Sequence, residues 1–219
     1  MTVVLQSELP TLHICFSGCS ITYGDELDDL NDRFSKVVTD RLGVPEVNLS
    51  LCGVSNDYIV RSIIDYCENN VVDSVVAQFT IESRMEYFAR DGSHHKFSVQ
   101  RQKKNVEHYN TMGWWYKFVY NKKHGWENLS KNICLLEYYC KSKDIDFIPL
   151  WSDYMGTIDS VYWKPNVKVT RLHWDILGTD YKAPKGHPNK EGHAKIADWL
   201  MDNISVSYTH LTLPTSDLV

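Results

Sequence analysis

The segment Leu12-His13-Ile14-Cys15-Phe16-Ser17-Gly18-Cys19-Ser20-Ile21-Thr22-Tyr23-Gly24 decides how the rest of the chain is read. Leu12 to Phe16 is a short apolar run closed by Ser17 and Gly18, which predicts a buried strand followed by a tight turn. The same grammar repeats downstream. Phe34, Val37, Val38 and Leu42 form one helical stripe, ended by Gly43 and Pro45. Val47 to Leu51 reads as a second strand, and Ser55 as the N-cap of a helix with Ile59, Ile63, Ile64 and Cys67 on its apolar face. Ser74 to Thr80 is an apolar run of the kind buried on both sheet faces. Leu129, Ile133, Leu136 and Cys140 mark a further helix, Ile145 to Trp151 a fourth strand, and Asn189 to Ile204 a last helix with Ile196, Leu200 and Ile204 inward.

Strands alternating with helices imply parallel pairing through right-handed crossovers. The expected fold class is therefore α/β, a three-layer α/β/α sandwich with a mainly parallel, flavodoxin-like central sheet. In such sheets ligands bind beyond the carboxyl ends of the strands. Function is sought just after Phe16, Leu51, Thr80 and Trp151, and in the loop before the last helix.

The 219 residues and the charge balance set outer limits. The length suits one domain, expected over 1–205. Twenty-three basic against 28 acidic residues give a net charge of −5, which argues against a nucleic-acid-coating role. No run approaches the ~20 apolar residues of a membrane span, and Met1 to Pro10 lacks the basic and apolar regions of a secretory signal. The expected location is the cytoplasm, with association with a virus particle as the alternative. No cysteine pair has CxxC spacing, so a zinc site built on thiolates is not expected. Val206 to Thr215, VSYTHLTLPT, resembles the in-frame translation of a sequencing-library adapter. On that reading 206–219 is a non-native tail, against the alternative of a final strand in which Tyr208, His210 and Thr212 alternate with their neighbours.

Three polar clusters fall at the expected rim. They are Gly18 to Gly24, then Cys52-Gly53-Val54-Ser55-Asn56-Asp57, then Gly186-His187-Pro188-Asn189-Lys190-Glu191-Gly192-His193. A serine hydroxyl needs an imidazole to take its proton and fixed donors to receive an oxyanion. Serine, tight-turn glycine and histidine are all present, in that order.

In these blocks, from about Leu12 to Ile204, the chain resembles the SGNH (GDSL-like) hydrolases. GCSITYGDEL aligns with the block that carries the nucleophile, at Ser20, with Cys19 where the family usually has Asp. CGVSND puts Gly53 where a backbone amide donates to the oxyanion, and GHPNKEGH puts His187 at the general base. The resemblance implies a serine esterase acting on a small-molecule or glycan ester, with deacetylation of a carbohydrate as one form, and no cofactor, nucleic-acid or membrane partner. Two positions depart from the pattern. The third block has Thr80-Ile81-Glu82-Ser83 where an Asn donor is usual, and an ionised Glu82 would repel the developing charge, so either another donor, such as the Thr80 hydroxyl or Asn56, substitutes or the site is weakened. No acid stands two or three residues before His187, where Lys185 and Pro184 lie. Its partner is expected to be Asp180 or Asp175, or else a backbone carbonyl.

Two long intervals exceed a minimal sheet, 81–126 and 152–186. The first holds nine Lys or Arg against four Asp or Glu, with Trp114, Trp115, Tyr116, Phe118, Tyr120 and Trp126; the second adds Tyr154, Tyr162, Trp163 and Trp174. Aromatic faces beside cations suit sugar rings or stacked bases, and a satellite core beneath loops is the plainer account. His94, His95 and His108 read as surface residues rather than metal ligands, and His193 as a packing residue beneath the site. Two rivals remain at this level: a non-catalytic glycan-binding module on the same scaffold, and a nucleotide-binding domain using Gly18 to Gly24. The second is the poorer, because GCSITYG lacks the spacing of a phosphate loop.

Overall fold

The computed structural model describes residues 12–97, 113–152, 160–178 and 180–204. The 206–219 tail, His108 and Tyr154 lie outside them. Five parallel strands form one sheet in the order β2-β1-β3-β6-β7: β1 Ile14–Gly18, β2 Val47–Asn48, β3 Ser74–Phe79, β6 Asp146–Trp151 and β7 Thr170–Arg171. Strands β4 (Met85–Phe88) and β5 (His94–Phe97) make a separate antiparallel hairpin. The helices that position the site include α1 Ser20–Tyr23, α2 Phe34–Leu42, α3 Asn56–Asn69, α4 Lys122–Ser142 and α5 Lys190–Asn203.

Alternation along the strands sorts the core into two halves. Cys15, Val75, Ala77 and Phe79 point to one face, where Ile59, Val60 and Ile63 of α3 meet Leu129, Ile133 and Leu136 of α4. Ile14, Phe16, Val76 and Leu150 point to the other, against Phe34 and Val38 of α2 and Ile196, Ala197 and Leu200 of α5. Each fully buried Ile, Leu or Phe contributes roughly 1.5–3 kcal/mol relative to exposure. The expected three-layer α/β/α architecture is thus the observed one.

The borders differ in ways that shape the rim. Strand β1 runs to Gly18 rather than Phe16, because Ser17 and Gly18 still pair with Ala77 and Gln78 of the central strand. Strand β2 stops at Asn48 instead of Leu51, since the Asn48 side chain accepts the Ser50 N–H at 3.0 Å and turns the chain. Ser55 caps α3 as expected, accepting the Tyr58 N–H at 3.1 Å. The hairpin and the two-residue β7 were not expected from sequence.

Candidate active site

Strand β1 delivers Ser20 to the rim through a turn with no room for a side chain at Gly18. A Cβ there would stand 2.2 Å from Thr22 Oγ1 and 2.9 Å from Gln78 Cβ. The closeness is needed because Gln78, fully buried on β3, holds the turn. Its Oε1 accepts from the Cys19 N–H at 3.1 Å, the Cys19 thiol at 3.3 Å and the Thr22 hydroxyl at 3.1 Å, while its Nε2 donates to the Phe79 carbonyl at 2.8 Å. A polar residue in the middle of SVVAQFT was the available signal for this role, and sequence reasoning passed over it.

His187 arrives from the other end of the chain. The segment before it folds back on itself, with the Ala183 N–H donating to the His187 carbonyl at 2.7 Å. Asn189 then caps α5 by accepting the Gly192 N–H at 2.9 Å. His187 Nε2 lies 2.8 Å from Ser20 Oγ, so the hydroxyl and imidazole 167 positions apart do meet.

The carboxylate on the far side of the ring is Glu26. Its Oε2 lies 2.7 Å from His187 Nδ1 and also accepts the His187 N–H at 3.2 Å, while Oε1 accepts the Lys185 N–H at 2.7 Å. An ionised carboxylate can only accept, which assigns the proton to Nδ1 and leaves Nε2 free to accept from Ser20. The Glu26 side chain is 6 % exposed. Burial by itself would raise its pKa, but the Lys185 N–H and the contacts with His187 outweigh it and hold the carboxyl below its ordinary value. Glu26 also sits at φ 74°, in the left-handed region that non-glycine residues rarely occupy. Strain at this position is compensated by three charge-assisted contacts.

This corrects the expected partner. Asp180 is exposed and is not the group on Nδ1. Asp175 is turned to Arg171, accepting its N–H at 2.8 Å and its guanidinium at 3.2 Å. Sequence reasoning looked just upstream of the histidine, where this family pattern keeps its acid. Here the acid follows the serine by six residues, in the same loop. Asp25 stands next to it, its Oδ2 3.9 Å from His187 Nε2.

The expected oxyanion residues divide. Gly53 is buried at φ 76°, which permits the turn that starts α3 and which a side chain would strain. Asn56 does not point a spare amide outward: Oδ1 accepts the Thr80 N–H at 2.8 Å and Nδ2 donates to the Thr80 carbonyl at 3.3 Å, a clasp joining α3 to the end of β3. The Thr80 hydroxyl is hydrogen-bonded to the Cys19 sulfur. Glu82 is bonded to the Tyr120 hydroxyl, which burial and this carboxylate push up to about 12. Its methylenes pack beside Gly125 of α4, where a Cβ would stand 2.9 Å from Glu82 Cγ.

Beneath the serine, burial alone would raise the pKa of the Cys19 thiol. The Arg84 guanidinium and hydrogen bonding with Ile21, Thr80 and Gln78 reverse the direction and lower it. His193 is fully buried, stacks on Phe34 with ring centroids 5.8 Å apart, and accepts the Phe34 N–H at 3.2 Å through Nδ1. Desolvation and the neighbouring His187 bring its pKa down to about 4, so it packs as the neutral imidazole.

Known structures show the same arrangement of strands and helices. A protein assigned to the G-D-S-L lipolytic family from Desulfitobacterium hafniense is 12 % identical, with TM-score 0.55 over 88 % of this chain and 99 % of its own. The fold is that of the GDSL, or SGNH, hydrolases. A psychrotrophic esterase from Pseudoalteromonas sp., in a structure inhibited by monoethylphosphonate, is 13 % identical with TM-score 0.52 over 88 % of this chain and 96 % of its own. A carbohydrate esterase family 2 enzyme with a carbohydrate-binding domain, from Corynascus thermopiles (Myceliophthora fergusii), is 13 % identical with TM-score 0.54, covering 94 % of this chain and 69 % of that one. The sequence matches no protein-family model and no curated protein. Among the described residues of this SGNH-type fold, no helix is long and apolar enough to cross a membrane, and no cluster of three or more His, Cys, Asp or Glu could hold a metal.

Proposed function

We propose that the chain is a serine ester hydrolase whose relay is Ser20, His187 and Glu26. The observation that carries this reading is the continuous line of contacts through the imidazole, 2.8 Å to Ser20 Oγ and 2.7 Å to Glu26 Oε2. His187 Nε2 takes the Ser20 proton as Oγ bonds to the ester carbonyl carbon, and the carbonyl π pair moves onto oxygen. Glu26 holds the Nδ1–H tautomer and stabilises the imidazolium. When the tetrahedral intermediate collapses, the C–O bond to the alcohol breaks and the alcohol leaves with the proton from His187. Water, deprotonated by the same imidazole, then cleaves the acyl-enzyme and restores Ser20.

The backbone N–H groups of Ser20 and Gly53 are the proposed oxyanion donors, with Asn56 and Thr80 fixing the end of β3 beside them. The proposed substrate is a short acyl ester of a carbohydrate or related alcohol. The fold shared with a carbohydrate esterase supports this, as do Trp174 and Tyr162, exposed at 63 % and 75 % and offering faces for sugar rings. Replacing Ser20 with Ala should lower hydrolysis of p-nitrophenyl acetate by on the order of 10⁴-fold or more. It should also abolish covalent labelling by a fluorophosphonate with little change in thermal unfolding. Labelling that persists in S20A would refute the nucleophile, and glycan binding by a wild-type chain that neither labels nor turns over would support the binding-module reading instead.

A further inference from the structure

Two consecutive carboxylates reach opposite nitrogens of one imidazole. Glu26 Oε2 lies 2.7 Å from His187 Nδ1, and Asp25 Oδ2 lies 3.9 Å from Nε2. The backbone fixes both relative to the nucleophile itself. The Gly24 and Asp25 N–H groups donate to the Ser20 carbonyl at 3.1 and 2.9 Å, and Glu26 follows in the left-handed region at φ 74°. Asp25 is thus held against Ser20 by a direct hydrogen bond.

The two residues differ in what satisfies them. Glu26 is 6 % exposed and accepts from the Lys185 N–H, the His187 N–H and the ring. Asp25 is 36 % exposed, and among the described residues its carboxylate accepts no hydrogen bond and pairs with no lysine or arginine. Arg33 is taken by Glu46 and Lys190 by Asp32. A carboxylate in this place opposes the charge that develops on the oxyanion, and no counterion among the described residues offsets it. Nε2 is also the nitrogen that hands its proton to the departing alcohol, so the alcohol oxygen must come within hydrogen-bond reach of it. The carbons next to that oxygen then enter the half-open space that Asp25 faces.

We propose that Asp25 selects the alcohol half of the ester, favouring substrates whose leaving alcohol carries a positive charge close to the ester oxygen. This rests on the serine-hydrolase reading above and names the leaving-group class, an amino sugar or another cationic amino alcohol. No bond forms or breaks at Asp25. Its attraction acts on the alcohol from binding until the C–O bond is cleaved, so it raises kcat/KM for a cationic ester relative to an uncharged one of the same shape.

Acetylcholine and its uncharged isostere 3,3-dimethylbutyl acetate isolate this effect, because a general loss of activity cancels in the ratio of their kcat/KM values. D25N should lower that ratio about fivefold, the size expected of opposite charges a few ångström apart at a half-exposed position. A role in stabilising the His187 imidazolium, or in holding the loop, would slow both esters alike and leave the ratio where it was. D180N removes an exposed carboxylate that is not on the ring and should change the ratio less than about twofold, which separates Asp25 from the net charge of the chain. A ratio that D25N lowers less than about threefold, or that D180N lowers as much as D25N does, overturns the inference. If D25N does not fold, D25S is held to the same limits. An active enzyme with an unchanged ratio overturns this inference alone, whereas a wild-type chain that neither turns over nor accepts a fluorophosphonate on Ser20 refutes the serine reading, and this one with it.

Discussion

The loops that leave β1 and β3 emerge side by side from neighbouring strands, yet they solve opposite problems. The loop after β1 turns its polar side chains inward, so that Ser20 and Glu26, six residues apart, reach the two nitrogens of one imidazole. The loop after β3 turns two of its polar groups away. Glu82 goes to Tyr120, and Ser83 offers its carbonyl to Tyr116. Identical position in an α/β sheet therefore does not confer identical function. What distinguishes the two is the neighbour that satisfies each charge: a histidine for Glu26, a phenol from the aromatic insertion for Glu82.

The sharpest way to break this contrast is to remove the charge from Glu26. E26Q should lower kcat for an aryl acetate by about 10²–10⁴-fold, because a carboxamide does not hold the Nδ1–H tautomer or stabilise the imidazolium, while D180N should leave it within twofold. Equal effects of the two would return the orienting role to Asp180. Next in size, the β1 loop depends on Gln78 where the β3 loop does not. Q78L strands the Cys19 N–H and the Thr22 hydroxyl and should cost roughly 2–4 kcal/mol in urea unfolding; a cost below about 0.5 kcal/mol would show the turn to be self-supporting.

Acid separates the regions in another way, because the β1 side packs over neutral His193. Its folded pKa, about 4, lies below the unfolded value. The unfolded chain therefore binds the proton first as pH falls, and stability is lost between about pH 6.5 and 4, by roughly 3 kcal/mol from this group. H193Q should flatten that part of the stability profile, and an unchanged slope would assign acid sensitivity elsewhere. The smallest effect is expected at the brace of the β3 loop. Y120F removes one hydrogen bond to Glu82 and should cost about 1 kcal/mol in urea unfolding, with kcat falling only a few-fold. A loss as large as that of E26Q would place Glu82 in the chemistry after all.

The aromatics of the interval 81–126 divide between the two accounts open from sequence: Tyr116 and Tyr120 act as fasteners and Trp126 is buried against Trp151, as in a satellite core, while Trp114 and Phe118 stay exposed. Composition does not separate these roles, because a ring that packs and a ring that waits for a ligand have the same hydropathy. The hairpin did leave a cue in Asp91-Gly92, a dipeptide suited to tight hairpin turns. The flanking MEYF and HHKF lack the clean alternation that would have made it persuasive.

The pairing of Ser20 with His187 as hydroxyl and base came from the family resemblance; local pattern alone determined the layers, the direction of the strands and the rim on which both residues fall. Each of these follows from periodicity and chain order, which act over a few residues at a time. The partner of His187, the grip of Gln78 on the nucleophile turn and the diversion of Glu82 were decided only in three dimensions. A carboxylate or amide is satisfied by whatever donor the packed chain brings within about 3 Å, and residues distant in sequence carry no local mark of that proximity.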